Sequence, residues 1–242
     1  LPEDKIGQTQ IVIDGESFHH IVDVCRQGVG SRFEVLGQGS SAILAELVET
    51  GKRSAVANVI SRRELPTPQP PHIDLYISLP KLPTFELILE KSVELGVRSV
   101  IPFCSEFSHF REPQMISAER KLRWEKIIRG ATQQSGRGDL MKVAECLYLK
   151  DILAQLSAGE CVFAFEGQTP QTVRQFLRNH PLRQTQSHWN LVVGSEGGFS
   201  EGEVKLAESR GFKPVSLGEQ VLRVETACIS LTAILKYELA ES

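Results

Sequence analysis

Along the first 65 residues, apolar and polar positions alternate in short runs. Residues 10–13, 32–36, 42–48 and 55–60 are rich in Val, Ile and Leu, and glycines separate them. Such runs predict β-strands. One stretch, 16–26, sets Phe18, Ile21, Val22 and Cys25 at helical spacing, so that they share a face. A small β-barrel with one helix satisfies this pattern. The His19-His20 pair on that helix is expected to cap or pack rather than to catalyse. The pattern then breaks at Leu65-Pro66-Thr67-Pro68-Gln69-Pro70-Pro71, which holds four of the twelve prolines. Proline removes backbone donors and disfavours helix before it, so residues 66–72 read as an extended linker. Beyond the linker the period itself alternates. Strands are predicted over 73–79, 99–103, 161–165, 191–193 and 214–217. Helices are predicted over 84–95, 117–134, 170–179, 201–210 and 225–239. That alternation implies βα units around a mostly parallel sheet. The expected organisation is therefore a barrel domain, 1–65, and an α/β domain, 73–242.

Open α/β sheets bind ligands in the loops that follow the carboxyl ends of their strands. Three such loops stand out. In Phe163-Ala164-Phe165-Glu166-Gly167 an apolar strand runs straight into an acid and a glycine. In Val192-Val193-Gly194-Ser195-Glu196-Gly197-Gly198-Phe199-Ser200 three glycines surround one acid, and Ser200 with Glu203 forms a capping box for the next helix. In Ser216-Leu217-Gly218-Glu219-Gln220-Val221-Leu222-Arg223-Val224-Glu225-Thr226-Ala227, Arg223 and Glu225 fall beside a predicted helix start, where an anion or polar ligand is favoured. Neither phosphate-cradling pattern, G-x-G-x-x-G or the P-loop, is present, which disfavours a dinucleotide or a triphosphate. On residue chemistry alone the three loops form one pocket for an unidentified ligand. Tight structural turns and a surface ion pair between Arg223 and Glu225 remain the alternative.

Composition narrows the classes. The 242 residues are 41% hydrophobic and 24% charged, as in ordinary globular proteins. No apolar run approaches the ~20 residues that span a bilayer. The opening Leu-Pro-Glu-Asp-Lys lacks the apolar segment of a signal peptide, and without an initial Met some native N-terminal residues are expected to be missing. Five dispersed cysteines without a Cys-x-x-Cys pair, and six histidines without ligand spacing, point to reduced thiols in the cytoplasm and to no metal. The net charge of -3 argues against a generic polyanion binder. Between Arg111 and Lys142, however, eight Lys and Arg face four acids, enough for local phosphate contacts or for a solvated helix face.

The motifs resemble those of the RsmE family of SPOUT methyltransferases. Gly-Ser-Glu-Gly-Gly at 194–198 is similar to that family's Gly-Pro-Glu-Gly-Gly, and residues 217–227 are similar to its Leu-Gly-x-Arg-Ile-Leu-Arg-x-Glu-Thr-Ala. Lys91-Ser92-Val93-Glu94-Leu95-Gly96-Val97 and Gln134-Ser135-Gly136-Arg137 resemble two further landmarks, and the barrel resembles the family's PUA-like RNA-binding domain. The resemblance implies a knotted α/β fold in which three loops hold S-adenosylmethionine, and methyl transfer to uridine N3 in small-subunit (16S) ribosomal RNA or the 30S particle. It implies cofactor contacts from Phe165, Glu166, Gly167, Gly194, Ser195, Glu196, Gly197, Leu217, Gly218, Val221, Leu222, Thr226 and Ala227. Arg223 would stabilise charge on the uracil, and Glu225 would act as base or orient Arg223. RNA would meet Lys81, Arg123, Lys126, Arg129, Gln134 and Arg137, with Arg26 and Arg32 on the barrel. A homodimer is implied, with Ala227, Leu231, Ile234 and Leu235 as an apolar face on the last helix. Three departures stand out: Ser195 where proline is usual, which should loosen its loop, and Gln220 and Phe107 where arginines are usual. Two rivals stay open, a SPOUT ribose 2′-O-methyltransferase and a non-catalytic RNA-binding protein of the same fold. The first usually carries Asn-x-x-Arg, absent here; the second is favoured by the two missing arginines.

Overall fold

The computed structural model describes residues 5–36, 40–157, 161–167, 171–179 and 188–239. The chain divides into two units. One comprises Leu1–Thr67 with Gly136–Asp139, the other Pro68–Ser135 with Leu140–Ser242.

In the first unit, β1 (Gln10–Asp14), β2 (Arg32–Leu36), β3 (Ser41–Thr50) and β4 (Ser54–Glu64) pair antiparallel in the order β1-β4-β3-β2. Among the described residues the edges β1 and β2 do not pair with each other. Ile11, Ile13, Ile43, Ala45, Leu47, Ala55 and Ala57 alternate onto one buried face, as the period of two requires. Two register shifts between β3 and β4, at Leu44/Ala45 and Leu47/Glu49, bend the sheet around this core. The predicted helix begins as α1 (Gly15–Phe18) and continues as a π-helical turn, His19–Val24. The wider turn carries later residues off the 3.6-residue face. Phe18 is therefore buried and Ile21 and Val22 pack on the core, but Cys25, expected beside them, is exposed. His19 and His20 do not pack inward either; His19 Nδ1 lies 2.8 Å from Asp23 Oδ2 on the surface. The short segment Gly136–Asp139 joins this unit through a hydrogen bond from Gly138 N to Pro66 O, 2.9 Å long.

Among the described residues, the second unit is built on eight parallel strands. Their order is β10 (Gln171–Thr172), β12 (Pro214–Ser216), β9 (Cys161–Ala164), β11 (His188–Val193), β5 (His72–Ser78), β6 (Ser99–Cys104) and β7 (Lys142–Val143), with β8 (Leu147–Tyr148) also on β6. The two faces read directly from the sequence. Ile73, Leu75 and Ile77 of β5 and Trp189, Leu191 and Val193 of β11 point to one side. There they meet α2 (Leu82–Glu94), α3 (Ala118–Ser135), α5 (Val173–Asn179) and α7 (Val224–Leu239). Tyr76, Phe163 and Val192 point to the other, toward α4 (Leu149–Gln155) and α6 (Glu201–Ser209). Cover on both faces explains why these strands are apolar almost throughout. Gly96, at φ +71, ends the last turn of α2. The helix predicted from 170 begins instead at Val173, because Gln171 and Thr172 pair with β12; Pro170 lies outside the described residues. The elements β7, β8 and β10, of two residues each, are too short for a periodic signal, and α4 was not predicted either.

One polar group is buried deliberately at the amino ends of the central strands. Asp74 of β5 is 4% exposed. It accepts from Arg98 Nε at 2.9 Å and from Ser99 Oγ at 2.6 Å, and His188 Nε2 lies 2.9 Å away. The carboxylate thereby ties β5 to β6 and β11. Burial pushes its pKa up, but the hydrogen bonds from Arg98 and Ser99 and the Arg98 charge outweigh that and hold it below the ordinary value. A depressed carboxyl contributes stability above the unfolded-state pKa, near 3.9, and loses it as pH falls through the folded value. Asp74→Asn is expected to lower unfolding free energy at pH 7 by ~2–3 kcal/mol, and the gap from wild type should close in acid denaturant titrations below about pH 4. A gap independent of pH would contradict this assignment.

Candidate active site

Parallel strands deliver their carboxyl ends to one edge, and there the loops after β5, β6, β9, β11 and β12 gather. After β9, Phe165 N donates to Val215 O at 2.9 Å, holding the loop on β12. Its ring packs against the core, and a Cβ on Gly167 would fall 2.4 Å from it. Glu166 is left exposed, with its carboxylate across Gly198.

The loop after β11 is a tight turn. Gly198 N donates to Ser195 O at 2.8 Å, and Gly198 has φ +66. A Cβ there would lie 1.7 Å from Glu166 Oε1, the free end of an exposed side chain that can swing aside, so it is the backbone conformation that requires glycine. Gly194 is packed against backbone, its missing Cβ 3.1 Å from Gly198. The turn is anchored by Phe199, buried with its ring 4.7 Å from that of Phe163. Ser200 then caps α6 in a reciprocal capping box with Glu203, as the spacing predicted. The expectation that Ser195 loosens the loop is corrected. Ser195 is 5% exposed, and its hydroxyl donates to Phe107 O at 2.8 Å, so a hydrogen bond ties the turn to the loop after β6. Glu196 is exposed and accepts from Lys81 N at 3.2 Å. Gly197 faces Phe107, whose Cβ would be 2.8 Å from a Cβ at that position.

After β12 the chain runs past Leu217, packed on the core, and Gly218, where an added Cβ meets nothing within 4 Å. Val221 and Leu222 are exposed. Helix α7 starts at Val224, and Arg223 O accepts from Ala227 N at 2.9 Å, so Arg223 is the residue before the first turn. Its side chain and Glu225 therefore leave from a helix amino terminus.

Two adjoining cavities result. One, of about 60 Å³, is lined by Ala164, Phe165, Glu166, Val193, Gly194, Ser195, by Val215 to Gly218, and by Gln220, Leu222, Val224 and Ala227. Its wall is mostly backbone and apolar. The other, of about 390 Å³, is charged, with Lys81, Thr84, Glu196, Val221, Arg223 and Glu225 around it. Glu166, Ser195, Leu222 and Val224 belong to both. A larger cavity, about 470 Å³, lies between α3 and residues 140–146. It holds no residue of the three glycine-bearing loops, so volume does not pick out the site.

Most of the expected cofactor residues thus converge, but Gly167, Gly197 and Thr226 line neither cavity. Among the expected RNA residues, Lys81 reaches the charged cavity. Arg123 is forked onto Glu86, at 2.5 and 2.8 Å, and Arg129 lines the cavity beside α3. Lys126 and Gln134 are exposed on α3. In the first unit, Arg26 is exposed and Arg32 pairs with Glu46 at 2.8 Å. Arg137 is corrected: it is buried, and its guanidinium is forked onto Asp139 at 2.8 and 2.9 Å, so it is not presented to a phosphate. The dimer face is corrected as well. Leu231 and Leu235 are fully buried within the subunit, leaving Ile234 and Tyr237 exposed on α7. Sequence reasoning missed Thr84 and the buried hydroxyl of Ser78, and it read Ser105 and Ser108 only as the flanks of the Phe107 departure, not as a buried hydroxyl pair. Among the described residues no three His, Cys, Asp or Glu are grouped to hold a metal ion, and no helix is long and apolar enough to cross a membrane.

Comparison with known proteins agrees with this geometry. Residues 67–236 match the RNA methyltransferase domain model, and residues 13–60 the RNA methyltransferase PUA domain model. The ribosomal RNA small subunit methyltransferase E of Bacillus subtilis is 30% identical over 234 residues, covering 93% of this chain and 89% of the relative. Its counterpart from Aquifex aeolicus is 29% identical over 235 residues, covering 96% of both. A Legionella pneumophila protein solved in complex with the bound cofactor SAM superposes with TM-score 0.82 at 26% identity, over 94% of this chain and 91% of that one. With a family model spanning the α/β unit and relatives matched almost end to end, the chain belongs to the ribosomal RNA small subunit methyltransferase E (RsmE) family.

Proposed function

We propose that this protein transfers a methyl group from S-adenosylmethionine to N3 of a uridine in small-subunit ribosomal RNA. The observation that carries the reading is the junction of the two cavities. A backbone-lined apolar pocket opens across Glu166, Ser195, Leu222 and Val224 into a charged one that holds Arg223 and Glu225. The first has the chemistry for a nucleoside donor: apolar Val193, Leu217 and Leu222 for the base, peptide groups for its edge, and Glu166 for a ribose hydroxyl. At about 60 Å³ it is smaller than such a donor, so the exposed segment around Val221 is the part that must yield on binding. We read the threading of this segment as the family's trefoil knot. When bound, the donor supplies a methyl already activated on a sulfonium.

The chain's own task is the acceptor. Uracil N3 carries a proton that must leave before its lone pair can attack. Arg223 at the amino terminus of α7 offers its guanidinium to the charge that spreads onto the uracil oxygens. Glu225 stands on the same cavity wall, placed to take the N3 proton or to orient Arg223. Lys81 adds a cation for an adjoining phosphate.

Arg223→Ala is expected to slow single-turnover methylation of unmodified small ribosomal subunits by ~10²–10³, with S-adenosylhomocysteine affinity little changed. Arg223→Lys should recover only part of the rate, because a point charge lacks the planar fork. Near-normal turnover in Arg223→Ala would remove it from the mechanism. Gly198→Val places a branched side chain onto the Glu166 carboxylate at a positive φ, and calorimetry should show S-adenosylhomocysteine binding abolished. Retained binding would mean that the glycine turn is not the donor site. We also propose a homodimer through the exposed side of α7. Sedimentation at micromolar concentration should give twice the chain mass, and Tyr237→Glu should halve it. A monomeric wild type would refute the dimer.

A further inference from the structure

Phe107 presents 44% of its surface to solvent, yet the backbone beneath it is fixed on several sides. Its carbonyl accepts the Ser195 hydroxyl at 2.8 Å. Glu106 N donates to Glu203 Oε1 at 2.8 Å. On the inner side, Ser78, Ser105 and Ser108 form a buried hydroxyl cluster, with Ser78 Oγ 2.5 Å from Ser105 Oγ and 2.8 Å from Ser108 Oγ. Ser105 N also donates to Ser108 Oγ at 2.6 Å. Burying three hydroxyls is tolerated only because they satisfy one another, and together they define the turn that carries Phe107. The ring is only partly covered by the fold. Among the described residues no other ring packs on it. It lies instead against Gly197, where a Cβ would come within 3.3 Å of its Cγ. That glycine comes directly after Ser195 and Glu196, both on the wall of the charged cavity.

We propose that Phe107 is a stacking platform for a nucleobase of the RNA substrate, at the rim of the acceptor cavity. The inference rests on the reading of that cavity given above. Single-stranded RNA is held by aromatic faces for its bases and by cations for its phosphates. The cavity wall supplies the cations, Lys81 and Arg223, and Phe107 supplies an exposed aromatic plane beside it. The backbone that carries the plane is held by the Ser195 hydroxyl and the serine cluster, so less ordering entropy is lost when a base lies on the ring. Every base has such a face, so Phe107 adds affinity while base identity is left to the cavity. The arginine that the family resemblance leads one to expect here also offers a plane; phenylalanine keeps the plane and gives up the charge.

The test uses the full chain and unmodified small-subunit ribosomal RNA made by transcription. Phe107→Leu should weaken RNA binding about 10-fold while S-adenosylhomocysteine affinity stays at the wild-type value. Phe107→Trp should restore RNA binding. Because Trp124 and Trp189 are buried, the new indole should dominate the exposed emission and be quenched as RNA saturates. Unchanged RNA affinity in Phe107→Leu, or Phe107→Trp emission indifferent to RNA, would overturn the proposal. So would a matching loss of S-adenosylhomocysteine affinity in Phe107→Leu, which would assign the ring to the donor pocket. Ring-dependent RNA binding with the methyl delivered to another atom would instead leave this proposal standing and sink the uridine-N3 reading.

Discussion

A parallel sheet covered on both faces can bind a ligand only at an end, and that constraint organises this molecule. Two helical layers remove both faces of the sheet from water. The strand direction then sends five loops to one edge, while Asp74 fastens the opposite edge by joining β5, β6 and β11. The site is therefore made of the loops at the strand ends rather than of the strands themselves. This accounts for its glycine content: where several backbones converge, side chains are excluded. Gly194 is the clearest case, with the Gly198 backbone 3.1 Å from where its Cβ would stand.

The same convergence separates two chemistries within a few residues. The pocket beneath the loops is walled by peptide groups and by Val193, Leu217 and Leu222. Above it, the start of α7 sets Arg223 and Glu225 opposite Lys81 and Glu196. The first wall carries one charged side chain, Glu166, among apolar ones, while the second carries Lys81, Glu196, Arg223 and Glu225 as well. Among the side chains that hold the turn dividing them is Ser195, whose hydroxyl reaches Phe107 O. A proline at this position would have stiffened the turn from within; serine stiffens it from outside and couples it to the loop after β6.

Much of this was legible in the sequence, and the failures are specific. The strands of the α/β unit were readable because double burial makes them apolar and β-branched. The capping box at Ser200 and the stop at Gly96 were readable because each uses local chemistry. Three glycine-bearing loops were found because glycine before or after a strand is informative. What sequence could not supply was pairing at a distance. The burial of Arg137 inside the first unit, the burial of Leu231 and Leu235 against their own sheet, and the fork of Arg123 on Glu86 are tertiary facts. Each converted a residue that looked available into one already engaged. The π-helical turn after Phe18 likewise rotated Cys25 out of a face that ideal spacing gave it. Elements of two residues, such as β10, carry no period to read.

The central claim is chemical: the charged cavity at the start of α7 presents a uracil edge to the donor pocket. Its most direct test is to methylate unmodified small ribosomal subunits with S-adenosylmethionine carrying an isotopically labelled methyl, digest the RNA to nucleosides, and locate the label by mass spectrometry. The account predicts label on the base of a single uridine, at N3. Label on a ribose 2′-oxygen, on another base, or nowhere in the RNA would contradict it.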